Sequence, residues 1–269
     1  MLDYKQIAII KKDIRSITAN KRMLSVLLIV PLVMTVIVPS IFILVMLFSP
    51  MDSSDMRQML GMLGPGYLDG YSLDSVDFRS VLINVVINYI MPLFFLLIPV
   101  MASSVMAASA FVGEKEKSTL ETLLYCPLPL NKIFSAKILA SFILSMAVSF
   151  LSFIIMMIVI EMEVLIVTGT MVMPDIKWLV VMLLVSPAVA LFAINLIVRG
   201  SAKSQSMEES QQRAVFLVLP IILLAIGQFT GVMILSVWFL FAIGAVIAAI
   251  ALFMFRGSFG KFQYETLLR

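Results

Sequence analysis

Twelve consecutive residues concentrate the reactive side chains of this sequence. Gly113-Glu114-Lys115-Glu116-Lys117-Ser118-Thr119-Leu120-Glu121-Thr122-Leu123-Leu124 carries three carboxylates, two ammonium groups and three hydroxyls. Its charged entrance, Glu114 to Lys117, offers both signs for pairing with a partner. There is no histidine in 269 residues, and Cys126 is the single cysteine. Ser-His and Cys-His catalysis, an HExxH zinc site, an internal disulfide and a cysteine metal cluster are thereby excluded. No GxxxxGK[ST] phosphate loop exists, since Gly64-Pro65-Gly66 and Gly70 lack the following lysine, so no ATP site is expected in this chain. What remains for the run is charge pairing. Ser118 and Glu121 have the spacing of a capping box, Leu120, Leu123 and Leu124 share one face of the helix it would start, and Pro127 and Pro129 stop it. Gly113 is expected to end the preceding apolar segment.

The elements that must hold this run follow from composition. The chain is 62% hydrophobic and 13% charged, an excess that a water-soluble domain of this size has too little interior to hide. Charge-free runs instead suit a bilayer, where about 20 apolar residues make one span. Their positions predict a single all-α polytopic membrane domain over 1–269, with six transmembrane helices at about 24–48, 80–111, 133–160, 177–198, 213–234 and 236–255. The first apolar run is about 25 residues long and follows a charged segment, so a cleavable signal peptide is not expected. Sixteen of the nineteen lysines and arginines fall in 1–23, 112–137, 199–213 and the tail 256–269, which puts both termini and the 112–132 connection in the cytoplasm.

Residues 1–23 read as an amphipathic helix lying in the cytoplasmic interface, with Ile7, Ile10, Ile14 and Ile17 on one face and Lys11, Lys12 and Arg15 away from it. The outer loop 49–79 begins with Asp52-Ser53-Ser54-Asp55, which can cap a short helix carrying Met56, Met59, Leu60 and Leu63. These apolar positions suit packing better than metal binding, and no metal site is expected.

No Asp, Glu or Arg lies deep in a span, which disfavours a proton- or sodium-coupled carrier. Lys137, near the start of the third span, is expected to snorkel back to the surface. Asn84, Asn88, Asn195 and Gln228 are the candidate pathway-lining residues, with helix packing as the plainer account of them. Glu208-Glu209-Ser210-Gln211-Gln212-Arg213 matches the EExxxR element of membrane proteases that process prenylated C termini, but those enzymes also need histidines. Ser206 and Glu209 read instead as a capping box before the fifth span, and Glu208, Glu209 and Arg213 as a second partner contact.

Residues 113–124, followed by Pro127 and Lys137, resemble the GEKExGTLExLLxxP…K pattern of ABC-2 family permeases, the membrane subunits of ABC exporters. The sequence departs from it at Ser118 and Ala136, where that family commonly has glycine. The resemblance extends to chain length, span number and the basic N-terminal helix. It implies a multi-pass protein of a prokaryotic plasma membrane that pairs with a second permease and recruits a cytoplasmic ATP-binding subunit. ATP and Mg would sit on that subunit, and this chain would be neither an enzyme nor a cofactor carrier. Gly113, Glu114, Glu116, Ser118, Leu120, Glu121, Leu123 and Leu124 would form the coupling helix that rests on it. Spans without charge favour an amphipathic peptide, lipid or drug as cargo. The competing class is a non-transporting immunity, scaffold or sensor protein with the same fold.

Overall fold

The long apolar runs fold as helices, and among the described residues no strand occurs. The computed structural model describes residues 3–48, 78–116, 128–169, 171, 174–201, 204, 206–229 and 236–258. Ser118, Leu120, Glu121, Leu123 and Leu124, the outer loop at 49–77 and the turn at 230–235 lie outside the described residues.

The N-terminal helix α1 covers Tyr4–Ala19. Among the described residues, six helices long and apolar enough to cross a membrane follow. These are α2 over 21–48, α3 over 78–116, α4 at Leu130–Thr168, α5 over 176–200, α6 at Met207–Phe229 and α7 at Val237–Ser258.

Some expected bounds change. Gly113 does not end its helix, because α3 continues to Glu116. The charged stretch at 208–213 belongs to α6, whose first turn is capped by Ser206 Oγ accepting the Glu209 N–H at 3.2 Å. With 39 residues, α4 is about 58 Å long, far beyond a hydrocarbon core of about 30 Å, so its ends must tilt or protrude.

Three prolines set the shape of α2, α3 and α5. Each of Pro39, Pro92 and Pro187 follows a π-helical turn, at Val33–Ile37, Val86–Ile90 and Val181–Val185. In each turn the residue just before the proline donates five residues back: Val38 to Val33, Met91 to Val86 and Ser186 to Val181. A proline ring in a regular helix collides with the carbonyl four residues earlier, and widening the turn relieves that contact. The next bond of the wide ladder would need an N–H from proline itself, so one carbonyl loses its donor.

In α3 that carbonyl belongs to Ile87, and the Trp178 Nε1–H of α5 reaches it at 3.1 Å. The indole is held in place by Phe95 and Phe153, with ring centroids 5.8 and 5.4 Å away. The Asp175 N–H, at the start of α5, donates to Asn88 Oδ1 at 2.9 Å in return. Proline chemistry in one helix thus locates the next.

Small residues let these helices approach. Ala102, Ser103, Ala107 and Ala108 of α3 are fully enclosed, as are Ser141, Ser145, Ser149 and Ser152 of α4. The α4 serines are spaced by three and four and so make one face of that helix. The Ser145 and Ser149 hydroxyls donate to carbonyls of their own helix, which satisfies them without a partner helix. Gly244 of α7 lies against the wide turn of α5, where an added Cβ would stand 3.0 Å from Leu184 Cγ. α3 packs on α4, α5 and α6, while α7 packs chiefly on α5. In contrast to α3 and α5, the helices α2, α6 and α7 leave most of their apolar surface open. Phe216, Leu223, Trp238 and Phe253 are among the most exposed side chains.

Trp178→Phe should lower the unfolding midpoint in detergent, because an unsatisfied buried carbonyl costs about 1–3 kcal/mol. Pro92→Ala supplies an N–H to the same stretch, so the double variant should lose less than Trp178→Phe alone. Equal losses in the single and double variants would show that the indole bond is not what matters.

Candidate functional site

α1 is fastened to the rest of the bundle by polar side chains at helical spacing. Gln6, Ile9, Asp13 and Ile17 are its buried residues, whereas Ile7 is about half exposed. The buried face is therefore rotated from the expected isoleucine face, because the groups it meets are polar as well as apolar. Gln6 Nε2 donates to the Lys132 carbonyl at 3.2 Å and to Ser135 Oγ at 3.1 Å. Lys132 Nζ lies 3.3 Å from Asp3 Oδ2, and Ile9 packs with Ile133 and Ala136 of α4.

One turn further on, four charges meet. Lys137 Nζ donates to Glu114 Oε2 at 2.6 Å and to the Ala110 carbonyl at 2.7 Å, with Asp13 Oδ2 at 3.7 Å. Lys12 Nζ donates to the other oxygen of Glu114 at 2.5 Å. Lys137 does not snorkel outward: its side chain is 2% exposed. Glu114 likewise faces inward, onto two lysines of its own chain. The physical reason is shared. An ammonium enclosed near the apolar end of α4 requires a carboxylate and a carbonyl, and the last turn of α3 supplies both.

Burial holds the Asp13 carboxyl above its ordinary value; the Lys137 ammonium pulls it down and Glu114 pushes it further up. Burial works to lower Lys12, but its hydrogen bond to Glu114 and the Glu114 charge outweigh that and raise it.

Gly113 is the close-contact point between the ends of α3 and α6. A Cβ there would stand 3.0 Å from Met207 Sδ. The exposed Glu116 and the exposed Glu208 therefore belong to the same end of the bundle as the charge cluster, with Glu209 half-buried beside them. Arg213 lies on α6 one turn beyond Glu209.

The pathway candidates separate into two groups. Asn88 Nδ2 donates to Asn84 Oδ1 at 3.1 Å, and Asn88 shares the lining of a small cleft with Gln228, Tyr89 and Lys177. Lys177 Nζ sits 3.1 Å from the Tyr89 ring centroid and 3.2 Å from Asp175 Oδ2. Asn195 is elsewhere, fully buried, with Nδ2 donating to the carbonyls of Leu191 and Ala251. It joins α5 to α7. Asn88 and Asn195 are thus engaged in holding helices together. Among the described residues no group of three or more acidic or cysteine side chains could hold a metal ion.

Asp13, Lys12 and Lys177 did not stand out in the sequence. For Asp13 a signal existed: Gln6, Ile9, Asp13 and Ile17 are spaced by three and four, and polar residues at buried spacing imply polar partners.

The family model for ABC-2 family transporter proteins matches residues 7–239, a stretch that includes α1's charged turn and all but the last helix. The chain belongs to the ABC-2 transporter family. This ABC-2 protein is accordingly a multi-pass membrane transport component and not itself a catalyst. No curated protein and no solved structure matches the chain.

The cluster predicts unequal costs in the ABC-2 chain. Glu114→Gln leaves the Lys137 ammonium enclosed and should cost about 3–5 kcal/mol of stability, whereas Lys137→Met leaves Glu114 paired with Lys12 and should cost far less. Thermal unfolding in detergent gives the order, and equal losses would contradict it. Asp13 adds a pH dependence. Its raised folded value means that its share of stability is present below the unfolded carboxylate value of about 4 and lost as pH rises through the folded one. Asp13→Asn should remove that decline from the pH profile of unfolding.

Proposed function

We propose that this chain is the permease subunit of an ATP-driven exporter, with both termini and the 112–132 connection in the cytoplasm. The observation that carries the proposal is the Glu114–Lys137 tie in a chain of this family. It joins the last turn of α3 to the first turns of α4, at the base of the connection that bears the ABC-2 pattern. A force on that connection would be delivered to both helices at once, and through Lys12 and Asp13 to α1. The partner that supplies the force is a cytoplasmic ATP-binding subunit, with ATP and Mg bound on its side of the contact.

In this reading Glu116, Ser118, Leu120, Glu121, Leu123 and Leu124 form the contact, and Gly113 and Glu114 brace it from within. Glu208, Glu209 and Arg213, brought near by the Gly113–Met207 approach, form a second contact. Nucleotide-driven closure of paired ATP-binding subunits would shift two permeases, identical or homologous, between inward-closed and outward-open arrangements. The size of that shift is set by the differential binding energy at the contact. The absence of described charges from the middle of the spans favours an amphipathic peptide, lipid or drug as cargo.

Co-purification of the full chain with its ATP-binding subunit, followed by ATPase assay in liposomes, tests this. Glu121→Ala combined with Leu124→Ser should reduce capture and cargo-stimulated ATPase activity about tenfold, the effect of losing one well-packed contact. Insertion and monodispersity should be unchanged, since Lys12, Asp13, Glu114 and Lys137 are all left in place. Undiminished capture by this variant would refute the contact, and a permease that binds no ATP-binding subunit would refute the exporter reading.

A further inference from the structure

With its polar face docked, α1 turns a basic surface outward. Gln6 and Ile9 meet the first turns of α4, and further along Lys12 reaches Glu114 in the last turn of α3. The helix thus lies across the ends of two spans. Asn20, in an extended conformation, separates it from α2, whose apolar stretch begins at Met23, so the end of α1 is held at the level where that span starts. Among the described residues, the charges on its outward side have one sign. Lys5, Lys11 and Arg15 are exposed and make no ion pair with a described residue, whereas Lys12 is committed to Glu114. The two carboxylates of the segment are occupied elsewhere, Asp3 with Lys132 and Asp13 inside the bundle. At about 100° per residue, Lys5, Lys11 and Arg15 fall within an arc of about 120°. Ile7, 49% exposed, stands beside that arc, with the half-buried Ile14 next to it.

We infer that this face of α1 binds anionic phospholipid of the surrounding bilayer, with head-group phosphates on Lys5, Lys11 and Arg15 and Ile7 entering the layer beneath them. Charge complementarity favours this occupant. Three cations on one arc, with no carboxylate exposed among them, attract a negatively charged lipid more than a zwitterionic one, whose own ammonium cancels the gain. The guanidinium of Arg15 adds a fork that suits two phosphate oxygens. The neighbouring isoleucines favour a lipid surface over an acidic protein or a free phosphate. A helix that reads only carboxylates or phosphate ions needs no apolar strip beside its cations, whereas one resting at head-group depth uses both. The inference requires that α2 spans a bilayer and is independent of transport.

Native mass spectrometry of the full chain, purified in mild detergent and exposed to equimolar phosphatidylglycerol and phosphatidylcholine of matched chains, reads out this face. Phosphatidylglycerol should be retained about tenfold over phosphatidylcholine, the order expected when a few cations at a membrane surface each add attraction. Lys5→Gln, Lys11→Gln and Arg15→Gln together should remove most of that preference. Glutamine keeps helix propensity and the contacts of Gln6, Lys12 and Asp13 stay in place, so this variant should insert and unfold as the wild type does. Arg256→Gln, Lys261→Gln and Arg269→Gln together remove the same charge from the C-terminal end and should leave the preference unchanged. Equal losses in the two triple variants would assign the effect to net charge and overturn the site. A preference that survives the α1 variant would overturn it too, and survival joined to lost capture of an ATP-binding subunit would give the face to that protein. Glycerophosphoglycerol, which lacks chains, should compete weakly; competition as strong as the lipid's would overturn the bilayer source.

Discussion

A lysine ammonium enclosed at the end of an apolar bundle imposes conditions on everything around it. Lys137 meets them with the Glu114 carboxylate and the Ala110 carbonyl, both from the last turns of α3. These bonds fix the distance between α3 and α4 where the chain leaves one helix and enters the other. Glu114 has a second oxygen, and Lys12 of α1 takes it. The position of the N-terminal helix is therefore a consequence of how Lys137 is neutralised. Apolar contact alone, through Ile9 with Ile133 and Ala136, would leave α1 free to rotate or slide. The polar pairs, from Asp3–Lys132 through Gln6–Ser135 to Lys12–Glu114, give it one register.

The opposite end of the bundle is held by a different device. There the contacts between α3 and α5 are mostly uncharged: an indole N–H donating to the Ile87 carbonyl, and the N–H of Asp175, just before α5, donating to Asn88 Oδ1. Both exist because a helix end or a proline left a backbone group without its usual partner. Between the two ends, small residues of α3 and α4 let the helices approach, and the Ser103, Ser145 and Ser149 hydroxyls are satisfied inside their own helices. Motion of one helix past the other would break few hydrogen bonds in the middle and several at each end. The structure thus concentrates directional bonding at the two surfaces and leaves packing alone to hold the interior.

How much of this was legible in the sequence depended on the range of the interaction involved. Span number and the broad location of each span followed from runs of apolar residues, a property of consecutive positions. The Ser206 cap was legible for the same reason, since the serine and the amide it meets are three residues apart. Lys137 was misjudged because snorkelling is the default for an isolated lysine near a span end, and the alternative depends on Glu114, 23 residues away in sequence. The end of α3 was misjudged because Gly113 resembles a helix stop, whereas here its missing side chain makes room for Met207 of another helix. Prolines were legible as bends. That three of them would each produce a wide turn, and that Trp178 would answer one of these, requires knowing which helices are neighbours.

The use made of the interior asparagines bears on where a cargo route can lie. Asn88 holds the start of α5, and Asn195 bridges α5 to α7, so two of the polar groups that looked suited to lining a pathway are committed to packing. α3 and α5, which carry them, are also the most enclosed helices. A route through the centre of this bundle would require giving up those bonds and opening faces packed with Ala and Ser. The helices with surface to spare are α2, α6 and α7, and their open faces are apolar. A single chain therefore supplies one wall of a passage more readily than a whole passage. On the proposed exporter reading, the other wall belongs to a second permease, and amphipathic cargo would move along an apolar seam. The charged end of each bundle would then act only as the point where force enters.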